Sequence, residues 1–223
     1  PISTTCTMLI LHPQIGGRAT AAVIANGLPL ITQQSGIQYV VTGLVLLVAA
    51  SGNEGGADLA HYQERLKRSG GAYLGPRDGT LDFAFIIDQM QALATEKHQY
   101  KTLIIDSVTK LYQTAIANEQ ERLGDKDAFG ASKKPAVAGM RRLVNWAMKL
   151  DMNIWFVAHD SAEWGVDPKS GQRTEVGRVA DVWDKLIYEL HLTLQAVKQG
   201  PARFAVVKKS RLTGFPDLQR FPL

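Results

Sequence analysis

Short apolar runs alternate along this chain with longer stretches whose apolar positions recur every three or four residues. "TMLIL" (7–11), "LVLLVAA" (44–50), "TLIID" (102–106) and "NIWFVAH" (153–159) read as buried strands. Between them, "RATAAVIAN" (18–26) has helix-compatible composition, and "ADLAHYQERLKRSG" (57–70) reads as a helix stopped by Gly70-Gly71. Over 81–98, Phe83, Ile86, Ile87, Met90 and Leu93 fall on one helical face. Residues 107–124 predict a helix closed by Gly124, and Met140, Leu143, Val144 and Ala147 form the stripe of another over 136–151. Residues 128–136 and 160–177 are polar and loop-like. Segments 186–197 and 203–211 alternate on either side of "KQGPA", which predicts a hairpin. Strand–helix alternation followed by a terminal hairpin argues for a single α/β domain over 1–223 with a mostly parallel sheet.

Composition narrows the class without naming a function. The 223 residues are 45% hydrophobic and 21% charged, enough apolar material for a multi-strand sheet covered by helices. Cys6 is the only cysteine, so no disulfide forms within the chain, which suits a reducing compartment such as the cytoplasm. The net charge of +4 permits a nucleic-acid partner but does not demand one. The longest apolar stretch, Tyr39 to Ala50, is too short to span a bilayer and is interrupted by Gly43. No basic region precedes an apolar core at the N-terminus, so neither a secretory signal nor a membrane partner is expected. The five histidines show no zinc-ligand spacing.

In open α/β sheets, ligands sit where strands end, so the residues that follow each strand are the candidates for chemistry. The first strand leads into "HPQIGGRAT", the second into "SGNEGGAD" with Glu54, the third ends at Asp106, and the fourth ends at His159. The hairpin ends near Lys208, Lys209 and Arg211. All five sets are expected on one edge. Asp106 would hold a Mg²⁺-bound water beside phosphates. It or Ser107 would equally serve as a plain helix N-cap. Glu54 would orient an attacking water, or be a solvated loop carboxylate. His159 would hydrogen-bond a terminal phosphate, or simply end a strand. Lys209 and Arg211, two apart on a β pattern, share a face and would clamp phosphate charge, of this subunit or a neighbouring one, or lie on a solvated strand face.

"HPQIGGRAT" has the outline of a phosphate loop but not its chemistry. Aligned on Gly17, the pattern G-x-x-x-x-G-K-[ST] has His12 for its first Gly, Arg18 for its Lys and Ala19 for its Ser/Thr, with Thr20 one position late. Arg18 keeps the charge, but Ala19 cannot ligate a metal. Lys133, Lys134, Arg141, Arg142 and Lys149 make an acid-free basic stretch suited to a nucleic-acid backbone. Trp146 and Trp155 sit in apolar patterns and are expected in the core. Trp164, in the polar segment, is the candidate for base stacking.

Taken in order, these pieces resemble the RecA-like ATPases, and more closely the phage-encoded AAA-type domain proteins among them, some of which anneal or recombine single strands. "KTLIIDSVTKLYQ" is similar to the Walker B strand and its helix, and "AGMRRLVNWAMKLDMNIWFVAH" to the elements that lead to a phosphate-sensing residue, here His159. "VVKKSRLTGFP" is similar to a terminal basic element that reaches an adjacent subunit's nucleotide, and "NEGG" to the pattern whose Glu is the hydrolytic base. The resemblance implies a three-layer sandwich with helices on both faces and a C-terminal antiparallel hairpin. It implies ATP and Mg²⁺ as cofactors and Glu54, Asp106 and His159 as the catalytic set, with Asp106 on the metal through water. Gly16, Gly17, Arg18, Ala19 and Thr20 would hold the nucleotide, and Lys209 and Arg211 would make the intersubunit contact. It also implies single-stranded DNA and further copies of the chain as partners, in a bacterial host's cytoplasm, with DNA-facing loops at about 124–136 and 160–177. The expected function is an ATP-binding protein acting on DNA in phage recombination or replication. The alternative is a hydrolysis-deficient DNA- or partner-binding module on the same fold.

Overall fold

A computed structural model describes residues 6–11, 44–49, 66, 68, 70–74, 82–212 and 214–222. Its centre is β4 (Tyr100–Asp106), whose residues Thr102, Leu103, Ile104 and Ile105 are all buried. A strand buried on both faces must satisfy its backbone through neighbours on both sides. On one side β4 pairs in parallel with β2 (Leu44–Ala49), which pairs in parallel with β3 (Ala72–Leu74). On the other it pairs in parallel with β5 (Asn153–Val166).

Beyond β5 the sheet changes character. β1 (Cys6–Leu11) runs antiparallel to β5 and to β7 (Leu192–Gln199). β7 pairs antiparallel with β8 (Ala202–Ser210), and β8 with β9 (Arg220–Pro222). The order is β3-β2-β4-β5-β1-β7-β8-β9, with β6 (Arg173–Ala180) attached to β5 alone. The terminal hairpin is thus present, but the sheet is mixed, with parallel pairings on one flank and antiparallel ones on the other. The apolar pattern that marks a buried strand is the same whichever way the strand runs, so it left the direction of β1 open.

Three helices pack on one face. α1 (Phe83–Thr95) is started by Asp82, whose carboxylate accepts from the Phe85 N–H at 2.7 Å. It buries Phe83, Ile86, Ile87 and Met90, the stripe read from the sequence. α2 (Val108–Leu123) buries Val108, Leu111 and Tyr112 and ends at Gly124, in the left-handed region at φ 53°. α3 (Lys133–Ala147) buries Met140, Leu143, Val144 and Ala147. These side chains form one core with Leu103, Ile105, Ile154, Phe156 and Ala158 of the sheet. Ile104 and Trp155, on the opposite face, are buried as well, although the three long helices described all lie on the first. Leu66 and Arg68, between β2 and β3, are helical as well, and Leu66 is buried outside the core formed with those three helices. No helix among the described residues is long and apolar enough to cross a membrane.

Two segments expected as loops are ordered differently. Residues 160–177 belong to a two-stranded ribbon, in which β5 runs on to Val166 and β6 returns antiparallel to it. Its turn is fixed by Asp167, which accepts from the Lys169 N–H at 3.0 Å and the Ser170 hydroxyl at 2.6 Å. Most of the ribbon's tip faces solvent on both sides, so no apolar alternation marked it. Within 128–136, α3 already begins at Lys133. Residues 186–189 form a short helical turn, α4 (Leu186–Glu189), rather than the start of the hairpin strand.

Close packing of α1 on α3 depends on one missing side chain. A Cβ built on Gly139 would lie 2.4 Å from Phe83 Cδ2. Gly139→Ala is expected to destabilise the fold by about 1–3 kcal/mol through overpacking. Urea denaturation would show this as a lower midpoint at unchanged slope.

Candidate functional site

Register builds the site. Ala49 at the end of β2 pairs with Asp106 at the end of β4, and Asp106 pairs with Val157 of β5. His159 lies two residues further along β5, on the same face as Val157 and Asp106. That face is the one turned away from α1, α2 and α3, whose partners in β5 are Ile154, Phe156 and Ala158.

The first turn of α2 locks this edge. Ser107 is the N-cap, with its hydroxyl accepting from the Lys110 N–H at 3.4 Å. Capping therefore falls to Ser107, and no side-chain hydrogen bond to Asp106 is made among the described residues. Thr109 is fully buried, and its hydroxyl accepts from the His159 N–H at 2.9 Å, tying α2 to β5. The Asp106–Ser107 peptide is cis. Thr109 was missed in the sequence, where a Thr in a helix's first turn carries no mark of a long-range partner.

The carboxyl of Asp106 is reached by solvent but surrounded closely by protein. Burial raises its pKa above the ordinary value, while the nearby His159 and Lys110 pull it down without cancelling the effect. A lone carboxylate at a strand end, beside His159 and Lys110, suits a hydrated cation arriving with its own anionic ligand. Among the described residues no three His, Cys, Asp or Glu side chains converge, so a metal held by protein ligands alone has no site there.

The other candidates fare differently. Glu54 lies outside the described residues, five positions after β2 ends beside Asp106. Gly16, Gly17, Arg18, Ala19 and Thr20 also lie outside them. The strand that leads into them ends at Leu11, which pairs with Ile154 near the start of β5, while its first residue, Cys6, pairs with His159. β1 thus runs toward the edge opposite Asp106, and the expected convergence of all strand ends on one edge fails there.

A family model described as an AAA domain matches residues 70–213, from the turn before β3 to the end of the hairpin. The chain belongs to the AAA domain family. The domain is of the P-loop ATPase type, which is built to bind nucleotide, typically with Mg²⁺. The match begins after Glu54 and after Gly16 to Thr20, so it rests on β4, α2, α3, β5 and the hairpin. No curated protein matches the chain in sequence.

Within this AAA domain, Lys209 and Arg211 are occupied. Lys209 Nζ donates to the carbonyls of Ile187 at 2.6 Å and Leu190 at 2.7 Å. Arg211 donates through Nη2 to the Tyr188 carbonyl. Both cations thus supply donors to carbonyl groups of α4 and the residue after it, in a helix too short to satisfy most of its own. Partial burial and the Arg211 charge lower the Lys209 pKa, while Glu189 and Asp217 oppose the shift. Trp155 is in the core as expected, whereas Trp146 is half-buried under Lys149, 4.3 Å from its ring centroid. Trp164 is 53% exposed on the ribbon, with the Arg173 guanidinium 5.4 Å from its ring centroid.

Two outcomes follow. Folding raises the Asp106 pKa, so the folded state favours the protonated form and loses that contribution as pH rises through the raised value. Asp106→Asn is therefore expected to raise the thermal midpoint at pH 7, with the gain vanishing below the ordinary value of 3.8. Thermal melts of both proteins across pH would check this. Lys209→Ala is expected to cost roughly 1.5 kcal/mol, the low end for charged hydrogen bonds because solvent reaches the ammonium. Unchanged stability in urea would show that the carbonyl contacts carry nothing and free Lys209 for a role in trans.

Proposed function

We propose that this AAA domain binds ATP with Mg²⁺ at the edge where β2 and β4 end beside His159, and that it acts on DNA in phage recombination or replication. The observation that carries this reading is Asp106. It ends a strand buried on both faces, is released from helix capping by Ser107, and has His159 and Lys110 beside it. Asp106 would hold a water of the metal's shell, and His159 would hydrogen-bond the terminal phosphate. Glu54, on the segment that leaves β2 next to Asp106, would orient the attacking water. Arg18, flanked by Gly16, Gly17, Ala19 and Thr20, would supply the cation that neutralises phosphate charge. Mg²⁺ held there through Asp106 would offset phosphate charge. Self-association would complete the site from a neighbouring copy, and single-stranded DNA is the nucleic acid we favour.

A second reading keeps the fold and drops hydrolysis. It is favoured by the direction of β1, which heads away from Asp106, and by Ala19 where a metal-ligating hydroxyl belongs. The test is titration of a fluorescent ATP analogue with Mg²⁺ against wild type, Arg18→Ala and Asp106→Ala. We expect saturable binding to wild type, weakened at least about tenfold in each variant, as fits the loss of roughly 1.5–3 kcal/mol with a charged hydrogen bond. Absence of binding at millimolar nucleotide would leave the hydrolysis-deficient module. Binding retained in Asp106→Ala would remove Asp106 from the site.

A further inference from the structure

On the helical face, away from Asp106, α1, α2 and α3 enclose a cleft of about 500 Å³. Its walls are mostly small or apolar: Phe83 from α1, Leu111 and Ala115 from α2, and Pro135, Ala138 and Gly139 from α3. Small side chains keep it open. Gly139 cannot even carry a Cβ, because the Phe83 ring occupies that space. The rim carries two carboxylates, Asp82 and Glu119, and two arginines in different states. Asp82 is engaged as the cap of α1, accepting from the Phe85 N–H at 2.7 Å. Arg122 is held by Glu119 through two hydrogen bonds of 2.6 and 2.7 Å. Arg142 is exposed and has no carboxylate partner among the described residues. From Lys133 to Lys149 the chain carries Lys134, Arg141 and Arg142 and no acid, so the helix bordering the cleft has a basic outer face.

We propose that this cleft docks an acidic peptide bearing an apolar anchor. Its carboxylates would pair with Arg142 and the outer face of α3, and its aliphatic or aromatic side chain would fill the space between the helices. The pairing of charges argues for an anionic occupant, since a free guanidinium forks onto carboxylate in a bidentate way. The cleft argues for a peptide over a nucleic-acid strand. A phosphate backbone would satisfy the cations but leave the apolar walls wet. The ring in the wall, Phe83, is 9% exposed and offers no stacking face. This site stands apart from the nucleotide reading and does not depend on it.

The experiment is fluorescence anisotropy of a labelled hexapeptide, Asp-Asp-Asp-Asp-Leu-Phe, with Asp-Asp-Asp-Asp-Ser-Ser as control. Saturable binding of the first is expected, weakened by salt and at least about tenfold by Arg142→Glu. Ala138→Trp, at an exposed helical position facing the cleft, should fill it and weaken binding comparably, with circular dichroism confirming that both variants fold. Asp106→Ala should bind the peptide normally. The proposal is overturned if the serine control binds equally well, if neither variant weakens binding, or if nothing binds at millimolar peptide. It is equally overturned if a labelled oligothymidylate binds through Arg142 while the hexapeptide does not.

Discussion

The structure depends on β4 being buried on both faces. Such a strand has no solvent to satisfy its amides, so it requires β2 on one side and β5 on the other, and both run parallel to it. Its apolar run stops where the sheet meets water, and the residue standing there is Asp106. Ser107 then takes over the helix start and Thr109 binds the backbone of His159, so the carboxylate, the histidine and the first turn of α2 are positioned by one continuous set of backbone constraints. The same crowding that fixes Asp106 makes its ionisation unfavourable, and the neighbouring His159 and Lys110 only partly offset this.

The antiparallel flank plays a different part. β1, β7, β8 and β9 extend the sheet by adjacent antiparallel pairings, which need only short connections between β7 and β8. Strands that alternate in direction send their ends to alternate edges. They therefore widen the core while sending the ends of β1 and β8 to the edge opposite Asp106. Lys209 and Arg211 illustrate the consequence. Instead of projecting as free cations, they fold back onto the carbonyls of α4, and their charge stabilises the chain reversal that leads into β7.

The AAA domain match and the geometry point to the same half of the molecule. Both rest on the stretch from β3 to the hairpin, and both leave the phosphate-loop candidates before it unassessed. The helical face adds a second region of interest, where unlike residues converge for a local reason. Gly139 and Ala138 let α3 approach α1 closely at one level and leave a hollow at the next, with Arg142 one turn further on.

How much of this was legible in the sequence differs by element. The stripes Phe83–Ile86–Ile87–Met90 and Met140–Leu143–Val144–Ala147 specified their helices and their buried faces, because a one-sided helix repeats its apolar positions. The run "TLIID" specified both a buried strand and a carboxylate at its end, since charge cannot stay inside. The ribbon of β5 and β6 was hidden, because much of it is solvated on both sides and has no apolar face to betray its period. The direction of β1, the use of Lys209 for α4, and the bond from His159 to Thr109 were decided only by the tertiary structure. Each depends on which residues from distant parts of the chain come to lie side by side, and local spacing holds no record of that.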